Sequence, residues 1–188
     1  MDTMMDRELV ERARTGDHAA FTALAEASAN RLYAVATLIL RDPDRAQDAV
    51  QDALVLAWRD VRGLREPEAW DGWLHRILVR TCYSEGRRQR RRQRLDHAVA
   101  WLPAAVDDPT ADVENRDQIA RGFQRLSVEE RAVLVLHFHA DLPGREIAVA
   151  LGISELAARS RLHRAIKSLR AALEADARPS LLNTRRPA

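Results

Sequence analysis

Apolar residues recur at steps of three and four along most of the chain, a spacing that places them on one face of an α-helix. The clearest such face in the first half consists of Phe21, Leu24, Leu32, Val35 and Ile39. Asp17 can cap this helix, and a shorter helix is predicted before it, from Asp6 to Arg14. Aromatic residues make up only 5% of the chain, which favours Ala- and Leu-rich helices over sheets.

A third helix is predicted to begin at Asp42-Pro43, where an acidic cap is followed by proline in the first turn. One side of it is apolar, and the other side is acidic and rich in amides. Asp48, Gln51 and Asp52 lie within one turn of the polar side. This compact patch could bind arginines on a partner helix; a plain solvent-exposed face is the alternative.

The longest predicted helix runs from Pro67 to about Arg92 and changes character along its length. Its apolar beginning contains Trp70 and Trp73, which are either two core residues or a pair with one ring exposed to stack on unpaired bases. The helix ends in RRQRRRQR, six arginines within residues 87–94. A block this basic predicts contact with phosphates. Gly86, just before it, could let the helix bend or fray.

The composition then reverses. Residues 95–118 contain six acidic side chains and one arginine, a local charge of −5, together with two prolines. This segment is predicted to be a linker between two domains. The next apolar helical face contains Ile119 and Phe123, and Ser127 with Glu130 forms a capping box for a following helix. The apolar residues predicted to pack in that following helix are Val133, Leu134, Leu136 and Phe138.

Residues 145–170 read as two helices joined by a tight turn, the second helix being basic. Gly152 supplies the permissive backbone for the turn, and Ser154 is a good cap for the second helix. The segment carries six cationic and two acidic side chains, a local charge of +4. A helix pair with a basic second helix fits the DNA major groove in shape and charge; an ordinary helical hairpin with solvated arginines is the alternative.

The remaining features mainly exclude classes of protein. Cys82 is the single cysteine, so neither a disulfide framework nor a Cys-based zinc site can form within the chain. No apolar run reaches the roughly 20 residues needed to span a bilayer, and the first residues lack a signal-peptide pattern, so a cytoplasmic protein is expected. His137 and His139 fall on different faces of a helix, which disfavours a metal site. The last residues, 176–188, are predicted to form a disordered tail.

Four stretches together resemble a known family: RDPDRAQDAVQDALVLAW, EAWDGWLHRIL with the arginine block, LSVEERAVLVLHF, and REIAVALGISELAARSRLHRAIKSL. In order and spacing they resemble the extracytoplasmic-function group of bacterial RNA polymerase sigma factors. The resemblance covers roughly residues 7–94, corresponding to sigma region two, and 121–173, corresponding to sigma region four.

The resemblance implies a role for each segment. It places Asp48, Gln51 and Asp52 on the face that binds the clamp helices of core RNA polymerase. It implies that the long helix opens and reads the minus-ten promoter element, through Trp70, Trp73, Arg76, Arg80, Arg87, Arg88 and Arg91. The helix pair would read the minus-thirty-five element, through Arg145, Ser154, Glu155, Arg159, Ser160, Arg161, His163, Arg164 and Lys167. The acidic linker would thread into the nucleic-acid channel of the polymerase, and an anti-sigma factor is a further expected partner.

The chain departs from the family pattern in two places. After the WLxRI motif the family usually has an asparagine and, four residues later, an aspartate, where this chain has Arg80 and Ser84. Its base preference in the minus-ten element is therefore open. Recognition helices of the group commonly begin with Gly-Thr-Val, where this chain has Leu156-Ala157-Ala158. Fewer polar groups in that turn predict more reading by shape and phosphate contact.

The sequence thus predicts an all-α protein of two small helical domains, residues 1–94 and 119–175, joined by the acidic linker. It is expected to give RNA polymerase promoter specificity, without a cofactor or catalytic activity. A self-sufficient helix-turn-helix repressor or activator is the alternative within DNA binding, but no dedicated dimerisation element is visible. An enzyme acting on nucleic acid is the alternative from another class, and no catalytic constellation supports it.

Overall fold

The computed structural model of the chain describes residues 3–95 and 119–182, with side chains described for residues 7–91 and 119–175. These residues form helices and short connections without a strand, which confirms the all-α prediction. The helices are α1 (Thr3–Arg14), α2 (His18–Leu40), α3 (Pro43–Asp60), α4 (Trp70–Leu95), α5 (residues 119–124), α6 (Val128–Phe138), α7 (Gly144–Leu151) and α8 (Glu155–Leu182). Two short 3-10 turns, Val61–Gly63 and Pro67–Ala69, connect α3 to α4.

The first domain is a bundle of α1 to α4 whose helix starts follow the predicted caps. The Asp17 carboxylate accepts the Ala20 N–H at 3.1 Å, and Asp42 accepts the Arg45 N–H at the same distance. These bonds satisfy main-chain donors that an α-helix leaves open at its start. The residues that fill the bundle core and are fully buried include Val10, Leu24, Leu32, Val35, Ile39, Leu74 and Leu78.

The second domain contains α5 to α8, and its three local predictions are confirmed. Ser127 and Glu130 form the capping box at the start of α6. Gly152 ends α7 with φ of 66°, in the left-handed region that glycine adopts without strain. Ser154 caps α8, its hydroxyl oxygen accepting the Ala157 N–H at 3.2 Å.

Three sequence predictions about the helices need correction. Phe138 is 67% exposed, because α6 ends there and the ring packs on the adjacent His137 instead of the core. Gly86 does not fray α4, which is continuous from Trp70 to Leu95. Helix α8 runs to Leu182, so residues 176–182 are helical where a disordered tail was predicted. The predicted linker lies outside the described residues apart from Leu95, as do residues 183–188.

The two domains pack directly on one another. Helix α4 of the first domain contacts α6 and α7 of the second, and α2 contacts α6. This arrangement was not predicted from the sequence, which suggested two bodies separated by a linker. It brings the helix with the arginine block close to the basic helix pair.

His75 is the one histidine buried within the described side chains, at 2% exposure on α4. Its Nδ1 lies 2.8 Å from the Asp71 carbonyl oxygen. Because a carbonyl can only accept, Nδ1 carries the hydrogen and Nε2 is left as a buried acceptor, without a partner in the described part of the chain. Burial lowers the pKa of His75, and the charge of Arg31 lowers it further, against the raising effects of Asp71 and Glu146.

This buried histidine predicts a loss of stability on mild acidification. The folded-state pKa of His75 lies below its ordinary 6.5, so the unfolded chain binds the proton more tightly. The stability that the fold gains by keeping His75 neutral is complete above pH 6.5 and is lost as the pH falls below that value. We expect the free energy of unfolding, measured in urea at pH 7.5 and 5.5, to fall less in His75→Gln than in the parent chain. In the control His163→Gln, at an exposed position, the free energy of unfolding should fall with pH as much as in the parent chain. If His75→Gln also shows the full parental fall, His75 is not the cause of the acid sensitivity.

Candidate nucleic-acid interface

The polar side of α3 forms an exposed patch opposite a face of small buried residues. Ala46, Ala49 and Ala53 are fully buried against the bundle, while the side chains of Asp48, Gln51 and Asp52 are exposed. No ion pair or hydrogen bond to another described residue engages the two carboxylates of this α3 patch. They are therefore free to meet cationic groups of a partner.

Val55 extends the α3 patch, and the sequence analysis missed it. It lies one turn beyond Gln51 and Asp52 and is 64% exposed, among the most exposed large apolar side chains described. The sequence could have revealed it, because Val55 is a β-branched apolar residue on a helix face that is otherwise polar. Single apolar side chains are common on protein surfaces, so Val55 adds an apolar contact to the patch but does not by itself identify a partner.

The two tryptophans of α4 have different surroundings. Trp70 is 5% exposed, with its ring 6.1 Å from that of Phe21 in an edge-on arrangement. It is therefore a core residue, and the expectation that it could reach DNA is not supported in this conformation. Trp73 packs on Trp70 with ring centroids 5.6 Å apart but is only partly buried. Of the pair, Trp73 is the ring that solvent can reach.

The exposed part of Trp73 begins a stripe along α4. The residues of this stripe, spaced by three, four, seven and four positions, are Trp73, Arg76, Arg80, Arg87 and Arg91. At 100° per residue all five fall within one narrow face, and at 1.5 Å rise they span about 27 Å. The four arginines are exposed. Arg88 is exposed beside the stripe and forms an ion pair with Glu85.

In the basic helix α8 and its cap, most of the residues predicted to contact the minus-thirty-five element are exposed to solvent. The exposed ones are Ser154, Glu155, Arg159, Ser160, His163, Arg164 and Lys167, and Arg145 is exposed on α7. Arg159 pairs with Glu155 at 3.4 Å; because both side chains are exposed, such a pair contributes little and can dissociate. Leu156 in the first turn of α8 is 76% exposed.

Arg161, also predicted to contact DNA, differs from the other residues of this set in its surroundings. It is half-buried and faces Tyr83 of α4, in the other domain. Burial raises the pKa of the Tyr83 hydroxyl to about 12, although the neighbouring Arg161 charge acts in the lowering direction. Helix α8 is thus within a side chain's reach of α4.

Other classes of site find no support in the described residues. No group of three or more His, Cys, Asp or Glu side chains within them could hold a metal ion. No helix within residues 3–95 or 119–182 has the length and hydrophobicity of a membrane-spanning segment. His137 instead packs its ring 4.6 Å from that of Phe138.

Comparison with known proteins identifies both domains. Residues 24–92 match the family described as Sigma-70 region 2, and residues 116–169 match Sigma-70, region 4. The ECF RNA polymerase sigma factor SigM of Mycobacterium tuberculosis is 36% identical over 165 residues, covering 85% of this chain and 80% of SigM. The RNA polymerase sigma factor SigV of Bacillus subtilis is 29% identical over 139 residues, covering 73% of this chain and 81% of SigV.

Two solved structures share the fold over most of the chain. CnrH, in a complex with the cytosolic domain of CnrY, superimposes with a TM-score of 0.66 at 25% identity, covering 92% of this chain and 99% of CnrH. The sigma factor RpoE of Bartonella quintana, in a complex with the anti-sigma factor NepR, has the same TM-score and covers 83% of this chain at 23% identity. With both sigma-70 regions matched in order and SigM similar over most of its length, the chain belongs to the ECF group of RNA polymerase sigma factors.

Proposed function

We propose that this chain directs RNA polymerase to its promoters through three surfaces. The α3 patch binds the clamp helices of the core enzyme, the α4 stripe reads and opens the minus-ten element, and α8 reads the minus-thirty-five element. The observation that carries the proposal is the α4 stripe, in which one accessible indole and four arginines share a single face. The chain itself carries out no catalysis and acts in the cytoplasm, where the polymerase is.

The α4 stripe suits strand opening in particular. Arginines along one face can follow the phosphates of one strand, while an indole at the end of that face can stack on a base that has left the duplex. Stacking accepts any base, so it stabilises the open state without reading sequence. Arg80 lies in the middle of the stripe and is well placed for base-edge contacts, since arginine can bind guanine with two hydrogen bonds.

Helix α8 would dock in the major groove with its capped end toward the bases. The exposed arginines and Lys167 supply charge for phosphate contacts, which dominate affinity and make it dependent on salt. The apolar first turn offers contact with thymine methyl groups but few hydrogen bonds. We therefore propose that distal recognition by this chain relies on phosphate contacts and DNA shape more than on direct base reading.

An anti-sigma factor is a further proposed partner. CnrH and RpoE are both seen in complexes, and the RpoE partner is an anti-sigma factor. The overall test of the proposal is run-off transcription with core polymerase on a promoter library. Transcripts from a defined subset of promoters are expected; specific DNA binding without core polymerase and no run-off product would favour a self-sufficient repressor or activator.

Charge reversal in the α3 patch should abolish binding to core polymerase. Asp48→Arg with Asp52→Arg replaces attraction to clamp arginines by repulsion, whereas exposed changes usually alter stability by no more than about 0.5 kcal/mol. Core affinity is measured by fluorescence anisotropy and helicity by circular dichroism. Glu26→Arg, an exposed reversal on α2, is the control and should bind normally. If the double variant keeps its helicity and binds core polymerase with undiminished affinity, the α3 patch is not the polymerase-binding surface.

We expect Trp73 to contribute to promoter opening and Trp70 to contribute to the stability of the fold. Trp73→Ala is expected to slow promoter opening, with a loss of roughly 1–3 kcal/mol for a stacked base, and to leave closed-complex binding nearly unchanged. Trp70→Ala should instead destabilise the domain by about 3–5 kcal/mol, because it empties a core site. Opening is followed by 2-aminopurine fluorescence in the minus-ten element, and stability by urea unfolding. Normal opening by a folded Trp73→Ala variant would contradict the stacking role.

Substitutions in α8 should distinguish base reading from phosphate binding. Either Arg159→Ala or Arg161→Ala is expected to cost about 1–3 kcal/mol on the cognate duplex and to relax specificity. Lys167→Ala should weaken all sequences alike and lower the salt slope by about one. Holoenzyme binding to cognate and scrambled minus-thirty-five duplexes at several salt concentrations measures both effects. If neither arginine variant changes the cognate-to-scrambled ratio, another element reads this sequence.

A further inference from the structure

The first turn of α8 carries the most exposed large apolar side chain among the described residues. Leu156 is 76% exposed, more than Phe138 at 67% or Val55 at 64%. A single exposed leucine is common on a protein surface and identifies nothing by itself. The position of Leu156 distinguishes it, because the start of the second helix is the part of a helix-turn-helix that faces the base edges of DNA.

Leu156 also lies in the middle of the basic face of α8. The exposed residues of this face, spaced by four, three and four positions, are Leu156, Ser160, His163 and Lys167. At 100° per residue they fall within about 60° of the helix circumference, and at 1.5 Å rise they span about 16 Å. Arg159 flanks this face on one side and Arg164 on the other. A helix that docks through this face brings Leu156 to the bases at its capped end.

The polar side chains next to Leu156 have partners within the helix itself. The Ser154 hydroxyl oxygen accepts the Ala157 N–H at 3.2 Å, and the Glu155 carboxylate pairs with Arg159 at 3.4 Å. Ala157 is exposed as well, but its side chain ends at the Cβ atom. In the free chain, Leu156 is therefore the long side chain of this turn that projects into solvent without a polar partner to hold it.

The base edges in the major groove differ in one apolar group. Thymine carries a 5-methyl group there, whereas adenine, guanine and cytosine present hydrogen-bond donors and acceptors. A leucine side chain against that methyl group removes apolar surface of both groups from water, which is favourable. Against a G·C pair the same side chain would take polar atoms out of water without replacing their hydrogen bonds, which costs free energy. A leucine that faces the bases therefore favours thymine over a G·C pair.

We propose that Leu156 is a specificity-determining residue of this chain. It contacts the 5-methyl group of a thymine in the minus-thirty-five element and selects an A·T pair at that position. The inference rests on the proposed function, because it requires α8 to dock in the major groove of that element. It adds the direct recognition of one base, made without a hydrogen bond, to the phosphate and shape contacts proposed for α8.

Removing the methyl group from the DNA tests the contact directly. The probe is the promoter that run-off transcription selects from the library, made as duplexes in which each thymine of the minus-thirty-five element, on either strand, is replaced singly by uracil. Uracil pairs as thymine does and lacks only the 5-methyl group. Binding of the parent holoenzyme, measured by fluorescence anisotropy, should weaken about fourfold at one thymine. This ratio corresponds to one buried carbon group at about 0.8 kcal/mol.

Substitutions at position 156 should change that ratio. In Leu156→Ala the thymine-to-uracil affinity ratio should fall from about four to near one, because the alanine side chain ends at Cβ. Leu156→Met keeps an apolar side chain of similar volume and should keep most of the ratio. Val149→Ala is the matched control, since it shortens another exposed apolar side chain, on α7, and should keep the parental ratio. Alanine and methionine both favour helix, so circular dichroism should show parental helicity in both variants at the exposed position 156.

A second probe separates the methyl group from the base that carries it. Replacing the thymine that the uracil series identifies, together with its adenine, by a C·G pair should weaken parental binding about tenfold. 5-Methylcytosine at that position restores a methyl group to the groove and should recover about fourfold of the loss in the parent and in Leu156→Met. It should recover none of the loss in Leu156→Ala. An equal recovery in the parent and in Leu156→Ala would assign the methyl effect to DNA shape and overturn the Leu156 contact.

The outcomes separate the Leu156 contact from the proposed function. If the holoenzyme prefers the selected promoter to a scrambled duplex but no thymine-to-uracil change weakens its binding, the Leu156 contact is wrong and the proposed function stands. The same conclusion follows if Leu156→Ala keeps the parental ratio, or if the selected minus-thirty-five element contains no A·T pair. If no promoter is selected, or if the holoenzyme binds the selected promoter and the scrambled duplex alike, the proposed function and the Leu156 contact are both wrong.

Discussion

The division of each functional helix into a buried face and an exposed face is the constraint on which this protein depends. Helix α3 packs through alanines, whose small side chains let it lie close to the bundle while its carboxylates stay outside. Helix α4 buries Trp70, Leu74 and Leu78 and keeps one narrow arginine face free. Because core packing fixes the rotation of each helix, it also fixes which charges a partner meets. The proposed interfaces are therefore positioned by buried apolar residues that lie outside them.

Local chemistry made much of the fold predictable from the sequence. The helices, the caps at Asp17, Asp42 and Ser127, and the glycine turn at Gly152 each depend on residues within a few positions of one another. The family resemblance then gave the domain order and the function, and both sigma-70 regions confirm them. Asp48, Gln51 and Asp52 were recognisable as a patch because they lie within one helical turn, whereas Val55, one turn further along α3, was missed.

What the sequence did not reveal depends on contacts between distant segments. Trp70 and Trp73 look alike in the sequence, and only packing against Phe21 of α2 makes one of them a core residue. Arg131 resembles an ordinary surface arginine of an amphipathic helix until the end of α2 is placed beside it. Gly86 suggested a bend or fraying of the helix because glycine lowers helix propensity, but α4 is continuous there and the missing side chain makes room for Val128 of the other domain. The burial of Trp70 required knowing how the helices of the first domain pack, and the roles of Arg131 and Gly86 required knowing how the two domains meet.

The setting of Cys82 has a consequence for how the cell could control this protein. The thiolate is the form of cysteine that oxidants attack, and a thiol that is fully buried with a pKa of about 12 is almost never a thiolate at neutral pH. Cys82 is the only cysteine of the chain, so the folded protein is poorly suited to sense oxidative stress through its own sulfur. An oxidative signal would have to be perceived by another protein and passed on by binding or release.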